Sequence, residues 1–191
     1  MRARLIGKRA LDVVGAAVGL ALASPALALA MAMIRVVDGA PVFFRQQRLG
    51  RRRRPFQIVK LRTMASGRVT RLGAVLRELG IDELPQLLNV LRGDMALVGP
   101  RPLTGDDVAR LGWHGDRFAA RWSVRPGLTG LAQIGQARHC SARATWLLDR
   151  GYVQRCGVAL DLRILAVSSL VPLLGKRRIR RALRPLGRRV A

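Results

Sequence analysis

An acidic pair, Asp82 and Glu83, lies in the segment GIDELPQLLNVLRGDMALVGPRP, residues 80–102. Acidic residues are scarce in this chain of 191 residues, which has 11 Asp plus Glu against 35 Lys plus Arg and a formal net charge of +24. Adjacent carboxylates can bind a divalent cation, or one of them can attack phosphorus as a covalent nucleophile. Asp82 also sits where the N-cap of the next predicted helix belongs, so helix capping alone would explain the pair.

Basic residues are predicted close to the acidic pair. A strand is predicted over residues 56–62, and its alternation puts Lys60 and Arg62 on one face. Exposed cations are usually solvated, but two at the end of a strand can hold a phosphate. The turn LVGPRP presents Arg101 between two prolines. These cations would suit an anionic ligand beside the carboxylates.

Short strands and helices are predicted to position these residues. The segment PVFFRQQRLGRRRRPFQIVKLRTM predicts two strands, from Val42 to Gln46 and from Phe56 to Arg62, joined by a cationic turn. One helix is predicted over residues 69–79, where arginines could face lipid headgroups. A second helix is predicted from Glu83 to Arg92, and Pro85 is tolerated there because it lies in the first turn.

The apolar N-terminus indicates a membrane as partner. No charged residue occurs from Val13 to Ile34, and one helix of this length would cross a hydrocarbon core of roughly 30 Å. The run could be a secretory signal, a straight transmembrane helix or a re-entrant helix. Basic residues flank it on both sides, and since Lys and Arg mark the cytoplasmic side, a single span would leave one cationic flank outside.

A proline favours the re-entrant interpretation. Ser24 and Pro25 lie at the middle of the run, where a proline removes a backbone hydrogen bond. We expect two half-helices of about 16 Å each that enter one leaflet and return. The Ser24 hydroxyl would satisfy a carbonyl that the proline frees. A kink in a spanning helix is the simpler alternative.

The C-terminal region repeats the membrane pattern. An apolar stretch at residues 162–175, too short to span, runs into a basic stretch at residues 176–189. This pattern predicts an interfacial helix and a polybasic tail on anionic lipid. Nucleic acid is the rival partner, but the chain lacks aromatic stacking motifs and Cys/His fingers, so no nucleic acid is expected. Cys140 and Cys156 have no metal-binding spacing and fit a reducing compartment.

Seven segments in series resemble the monotopic phosphoglycosyl transferases, bacterial sugar transferases that move a sugar 1-phosphate from a UDP-sugar to a polyprenyl phosphate. In chain order they are KRALD, ASPALAL, APVFFRQQRLG, PFQIVKLRTM, VTRLGAVLRELGIDELPQLLNVLRGDMALVGPRPL, RPGLTGLAQI and LDRGYV with LDLRIL. They cover nearly the whole chain in order. The series is specific, although each segment alone would be weak.

The resemblance implies a role for each matching residue. Asp82 would be the nucleophile that takes the sugar phosphate and releases UMP, with Mg²⁺ bridging its carboxylate and the diphosphate. Glu83 would assist as a partner of the metal or of water, or as a base. Lys60 and Arg62 would hold substrate phosphates. The other substrate-binding residues that the matching motifs imply are Pro100, Arg101, Pro102, Arg125, Thr129, Gln133 and Asp161.

The resemblance also implies the fold and the location. We expect a small α/β (α+β) catalytic domain, mostly helical, with a re-entrant membrane helix broken at Ser24 and Pro25 and with interfacial amphipathic helices. Residues 1–38 would form the re-entrant helix, residues 39–160 the catalytic domain, and residues 161–191 the interfacial helix and polybasic tail. The enzyme would lie on the cytoplasmic face of the inner membrane. Its partners would be a UDP-sugar, polyprenyl phosphate and anionic lipids, with a homodimer or downstream glycosyltransferases as further partners.

Two departures from the family pattern affect these expectations. Arg53 stands where the family usually has a glycine, so the turn before the second strand must differ or gain lipid contacts. Residues 65–68 form a shorter loop than is usual, and without a multi-span N-terminal region we expect the minimal form of the family. The alternative function is a non-catalytic, membrane-associated basic module that binds lipid or nucleic acid. Such a module would gain nothing from the acidic pair.

Overall fold

The computed structural model describes residues 2–135 and 141–169, and it begins with one long helix. Helix α1 covers Arg2–Met33 and continues into a π-helical turn at Ile34–Asp38. By length and composition the helix could cross a membrane, and only 17% of its most apolar stretch of 18 residues is buried against the rest of the chain. Most of this apolar surface is therefore open to a surrounding solvent or lipid.

Helix α1 is continuous through Pro25, so the prediction of two separate half-helices is wrong. The predicted compensation for the proline is confirmed. Pro25 has no N–H to donate to the carbonyl of Ala21, and the Ser24 hydroxyl donates to that carbonyl at 2.8 Å. Because the freed carbonyl is satisfied within the helix, the proline does not end it.

An antiparallel hairpin follows α1. Strand β1 covers Phe43–Leu49 and strand β2 covers Pro55–Leu61, which confirms the two predicted strands. The first begins one residue later and ends three residues later than predicted. In the register, Arg48 lies opposite Phe56, and Phe44 lies opposite Lys60. Phe56 and Lys60 are four residues apart on β2, so their side chains point to the same face of the hairpin. Cross-strand partners also share a face, so Arg48 lies on the face of Lys60.

The remaining elements are short, and together they confirm a mixed helical and stranded fold. Strands β3 and β4 form a small antiparallel pair, strands β5 and β6 are parallel, and residues 158–169 are helical. The bounds are β3 Met64–Ala65, β4 Arg68–Val69, α2 Arg71–Leu79, α3 Gln86–Arg92, β5 Ala96–Val98, α4 Gly105–Leu111, β6 Gly127–Thr129, α5 Leu131–Gly135 and α6 Ala142–Arg155. The predicted tail at residues 176–189, like Cys140, lies outside the described residues.

Two apolar clusters fasten α1 to the rest of the fold. Ala16 belongs to a cluster with residues of β2, α3 and β5, whereas Leu27 and Ile34 belong to a second cluster with Leu61 and Leu76. Helix α1 approaches β5 so closely at Gly15 that a larger side chain would not fit there, since a Cβ on Gly15 would lie 2.7 Å from the Leu97 side chain. Both halves of α1 thus pack against the same domain.

Candidate active site

The backbone around the acidic pair differs from the predicted one. Gly80 ends α2 in the left-handed conformation with φ 73°, and a 3₁₀ turn covers Ile81–Glu83. Helix α3 begins only after Pro85, which occupies its N-cap position without a side-chain hydrogen bond. The prediction of Asp82 as the N-cap is therefore wrong, because the 3₁₀ turn separates it from α3. Its carboxylate is not used for capping.

Glu83 and Lys60 form an ion pair across the site. The Lys60 Nζ atom lies 2.5 Å from Glu83 Oε1, and the two side chains are partly exposed, at 18% and 35%. Strand β2 supplies the lysine and the 3₁₀ turn supplies the glutamate. The predicted proximity of the basic strand and the acidic pair is confirmed.

Asp82 has a different environment from its neighbour. Asp82 is 8% exposed, and its carboxylate accepts a hydrogen bond from its own backbone N–H. No ion pair or hydrogen bond links this carboxylate to another residue in the described ranges 2–135 and 141–169. Burial raises the pKa of the Asp82 carboxyl, repulsion from Glu83 raises it further, and the charges on Lys60 and Arg77 offset only part of this rise. The pair thus combines one carboxylate held by a lysine with one that has no such partner.

Lys60 and Glu83 line a narrow cleft. Its volume of about 10 Å³ holds no more than about one water molecule. The predicted residues that it brings together with this ion pair are Arg101, Pro102 and Gln133. Its other lining residues are Arg48, Ile58, Gln86, Gly127 and Leu128. A substrate must therefore widen this cleft or displace side chains to enter it.

Arg48 belongs to the site and is missing from the prediction. Burial lowers the pKa of its guanidinium, the charge on Asp107 raises it, Arg101 lowers it and Glu83 raises it, so Arg48 lies within electrostatic reach of two cleft residues. It also contacts Asp107 Oδ2 at 3.2 Å. The signal that could have found it is the hairpin register, which places Arg48 on the face of Lys60.

Four other predicted site residues make contacts away from this cleft. The Arg62 guanidinium donates to the carbonyls of Asp38 and Gly39 at 2.6 Å each, at the end of the π-helical turn. Arg125 donates from Nε to the Gly93 carbonyl at 2.7 Å and lines a different cavity. The Thr129 hydroxyl pairs with Ser168 at 2.7 Å. Pro100 is buried, and its carbonyl accepts from the backbone of Gly127.

Asp161 lies in a buried polar cluster rather than in the cleft. It is fully buried, its Oδ2 atom lies 2.5 Å from Lys8 Nζ, and its Oδ1 atom accepts from the Tyr152 hydroxyl at 2.8 Å. Both carboxylate oxygens of Asp161 thus have protein partners, and the substrate contact implied for Asp161 stays a prediction. Asp149 forms a second buried pair, with Arg121 at 2.8 Å, which agrees with a structural role.

The carboxylates present suit a metal ion shared with a substrate. No group of three or more His, Cys, Asp or Glu side chains with metal-binding geometry occurs among the described residues. Mg²⁺ commonly takes one or two carboxylates and completes its octahedral shell with water and substrate phosphates. Glu83 lines the cationic cleft, and Asp82, its neighbour in the chain, does not. The pair supplies two hard oxygen donors of the kind that Mg²⁺ takes.

Comparisons with known proteins identify the family. Residues 3–174 match the family model described as bacterial sugar transferase. The chain is 45% identical over 180 residues to UDP-glucose:undecaprenyl-phosphate glucose-1-phosphate transferase of Caulobacter vibrioides, covering 82% of this chain and 66% of the relative. It is 40% identical to the uncharacterized sugar transferase EpsL of Bacillus subtilis, covering 86% of each. An N-acetylgalactosaminephosphotransferase of Aeromonas hydrophila is 35% identical, with 41% of its length covered. The chain belongs to the bacterial sugar transferase family.

Proposed function

We propose that this enzyme transfers a sugar 1-phosphate from a UDP-sugar to undecaprenyl phosphate and releases UMP, as the first membrane step of polysaccharide or glycoconjugate synthesis. The printed names of the Caulobacter and Aeromonas relatives support this reaction class. The observation that carries the proposal is the unequal acidic pair. Asp82 has a carboxylate without an ion-pair partner among the described residues, whereas Glu83 is held by Lys60 beside a cleft lined by Arg48 and Arg101.

Asp82 acts as the nucleophile in the first step. One of its carboxylate oxygens attacks the phosphorus that carries the sugar, the bond from this phosphorus to the bridging oxygen breaks, and UMP leaves with that oxygen. The product is an aspartyl phosphodiester of the sugar. Lys60, Arg48 and Arg101 stabilise the negative charge that develops on the phosphate oxygens. The positive cleft thereby favours the transition state over the separated reactants.

Undecaprenyl phosphate is the nucleophile in the second step. An oxygen of its phosphate attacks the same phosphorus, the bond to Asp82 breaks, and the carboxylate is regenerated. The attacking phosphate is already anionic and needs no general base. Glu83 remains paired with Lys60 and keeps that ammonium aimed at the cleft. Its expected role is therefore to position Lys60 and to share the metal ion.

Mg²⁺ is the proposed cofactor, held by Asp82 and Glu83 together with the substrate phosphates. When bound, it supplies positive charge that neutralises the diphosphate. Because Lys60 occupies Glu83 Oε1 in this structure, the second carboxylate oxygen of Glu83 is the one available to a metal ion. Removal of divalent cations by EDTA is expected to abolish UMP release.

Helix α1 is proposed to lie on the cytoplasmic side of the inner membrane without crossing it. A straight span would carry one end of α1 away from the domain, yet Lys8 near its start and Ile34 just after its end both pack against that domain. A stripe of exposed apolar residues along α1 would face lipid, and it comprises Val14, Val18, Leu22, Leu29 and Met33. Cysteines introduced at positions 5 and 50 should both be protected from an impermeant thiol reagent in intact cells, and labelling at one end only would mean a spanning helix.

The proposed reaction is tested by measuring UMP release from a panel of UDP-sugars, with and without undecaprenyl phosphate. We expect one or a few UDP-sugars to give sustained release that depends on the lipid phosphate. Release that stops at about one equivalent of enzyme without the lipid would reflect accumulation of the covalent intermediate. No release with any UDP-sugar would favour the alternative, a non-catalytic basic membrane module.

The kcat/KM for UMP release is expected to fall in acid at a higher pH than an ordinary aspartate would predict. This parameter reports the free enzyme, before Mg²⁺ and the diphosphate bind, and there burial raises the pKa of the Asp82 carboxyl from the ordinary 3.8. Because the reactive form is the carboxylate, protonation lowers kcat/KM as the pH falls through this higher value. Replacing Lys60 with methionine removes a charge that lowers this pKa, so the acid limb of kcat/KM should move to higher pH. In the control Arg101→Met the rate should drop while the acid limb stays in place.

A further inference from the structure

A second cavity opens beside the turn that joins β1 to β2. Its volume is about 320 Å³, and it shares no lining residue with the cleft of Lys60 and Glu83. Four arginines line it, Arg51, Arg52, Arg54 and Arg125, against a single acidic residue, Asp94. At about 30 Å³ per water molecule this cavity has room for a phosphate group and the atoms attached to it. This cavity is therefore cationic and much larger than the cleft of Lys60 and Glu83.

The cations of this cavity lack anionic partners. The side chains of Arg52 and Arg54 form no ion pair or hydrogen bond with any residue in the part of the chain that the structure describes. Lys8, Lys60 and Arg121, in contrast, each hold a carboxylate within 2.8 Å. Asp94 accepts from the Asn89 amide at 3.3 Å instead of pairing with an arginine. An external anion would relieve the repulsion among these guanidinium groups.

The turn that carries these arginines is held in a fixed shape. Arg51 Nε donates to the Ser123 carbonyl at 3.0 Å, and Arg53 donates to the His114 carbonyl at 2.7 Å with its guanidinium over the Trp122 ring. Arg52 and Arg53 have φ values of 57° and 58°, in the region that favours glycine. The turn thus has arginines at two positions whose left-handed backbone conformation glycine would adopt more easily.

The cavity lies next to the basic start of α1. Gly93 lines it, and a Cβ on Gly93 would lie 3.5 Å from Arg9 Nη2. Arg9 also donates to the Val90 carbonyl at 2.8 Å, which fixes this part of α1 against the end of α3. The uncharged run of α1 begins at Val13, four residues after Arg9. With α1 at the membrane as proposed, a cationic cavity beside Arg9 lies close to the basic flank of the lipid-facing helix, where lipid phosphates attract basic groups.

We propose that this cavity binds the phosphate of an anionic membrane phospholipid, with Arg52, Arg54 and Arg125 as its ligands. Guanidinium groups match phosphate oxygens in paired, charge-assisted hydrogen bonds. The bound lipid is distinct from the polyprenyl acceptor, since the cavity is separate from the cleft that contains Lys60 and Glu83. The proposal rests on the membrane placement of α1 and is independent of the transfer reaction.

The test titrates the full chain, in a neutral detergent, with short-chain phosphatidylglycerol and with phosphatidylcholine of the same chain length. Binding is followed by tryptophan fluorescence, because Trp122 contacts the turn, and by native mass spectrometry of retained lipid. The variant Arg52→Gln/Arg54→Gln removes two charges from the cavity. The control Arg143→Gln/Arg155→Gln removes two charges from exposed positions on α6. Inorganic phosphate and UDP are the soluble competitors.

We expect phosphatidylglycerol to bind more tightly than phosphatidylcholine, and the cavity variant to lose about tenfold in affinity for it, while the control loses less than about twofold. Equal loss in both variants would mean diffuse attraction and would overturn the site. Displacement of the lipid by inorganic phosphate or UDP at equal concentration would assign the cavity to a soluble phosphate, which also overturns the proposal. If the double variant loses its near-ultraviolet circular dichroism, Arg54→Gln, outside the left-handed positions, replaces it.

UMP release separates this proposal from the proposed function. Loss of lipid binding with normal UMP release would leave the transferase assignment intact. Tight phosphatidylglycerol binding by a chain that releases no UMP would support the lipid site and contradict the transfer reaction. Lipid binding therefore tests the cavity, and UMP release tests the transfer reaction.

Discussion

Replacing Asp82 with asparagine is expected to lower the rate of UMP release by at least about 10³-fold, because the amide cannot form the covalent phosphodiester. The measurement is UMP release at saturating UDP-sugar, undecaprenyl phosphate and Mg²⁺. Mass spectrometry of the wild-type enzyme quenched without the lipid should show a sugar-phosphate adduct on the peptide that contains Asp82. The Asp82→Asn variant should show none.

Two controls make this result specific. Asp106→Asn makes the same chemical change at an exposed position in α4 and should leave UMP release within about twofold of wild type, as surface substitutions usually do. Glu83→Gln keeps the nucleophile but weakens the hold on Lys60, so it should be slower than wild type and still form the adduct. Turnover by Asp82→Asn above about a tenth of the wild-type rate would remove Asp82 from the proposed role.

The inactive Asp82→Asn variant should also be no less stable than the wild type. The pKa of Asp82 is raised in the folded state, so folding disfavours its ionised form above the pKa of the unfolded chain. Asparagine avoids this penalty at neutral pH, and the difference in unfolding free energy should shrink as the pH falls through the raised pKa. An inactive variant that is less stable than wild type would indicate that Asp82 is needed for the fold.

Replacing Lys8 with methionine is expected to lower the free energy of unfolding by about 3–5 kcal/mol, the usual effect of removing one partner from a buried ion pair. Lys8 lies 2.5 Å from Asp161, and the two side chains are 7% and 1% exposed. Without the ammonium group, the Asp161 carboxylate keeps the Tyr152 hydroxyl as its one side-chain donor among the residues that the structure describes. Urea unfolding in detergent micelles, followed by tryptophan fluorescence, measures the change.

Arg110→Met is the matched control for this buried pair. Arg110 pairs with Asp107 at 2.9 Å, but its side chain is 75% exposed, so its loss should cost no more than about 1 kcal/mol. The double variant Lys8→Met/Asp161→Asn should recover part of the stability, since it removes the unpaired charge at Asp161. Recovery should be incomplete, because buried Asp12, 3.7 Å from Lys8 Nζ, also loses its cation. A Lys8→Met variant within the range of the Arg110 control would show that water or another group replaces the lysine.

Local patterns in the sequence predicted the elements that position the site. Alternation along residues 56–62 predicted the strand that carries Lys60, and leucine spacing predicted α2 and most of α3, because these signals depend on neighbours a few residues apart. The pairing of strand and acidic turn at Lys60 and Glu83 followed from this arrangement. The class of fold and the principal cleft residues could therefore be predicted.

Local sequence patterns could not predict contacts between residues that are far apart in the sequence. The segment GIDELP suits either an N-cap at Asp82 or a 3₁₀ turn, and only the position of Gly80 at the end of α2 decides for the turn. Arg62 and Arg125 contact carbonyl groups, which every residue possesses and which leave no signature in the sequence. For Asp161, the partner Lys8 lies 153 residues away, so no local spacing indicates the pair.

The packing of α1 against the domain bears on whether a fragment without this helix can be used in aqueous solution. Ala16 fills a position in one apolar cluster and Leu27 in the other, and Lys8 neutralises a carboxylate deep in the domain. A fragment that starts after α1 would expose the surfaces these residues cover and would strand Asp161 without its cation. Helix α1 is thus part of the core of the enzyme as well as its proposed contact with lipid, and we expect a fragment without it not to fold as a water-soluble domain.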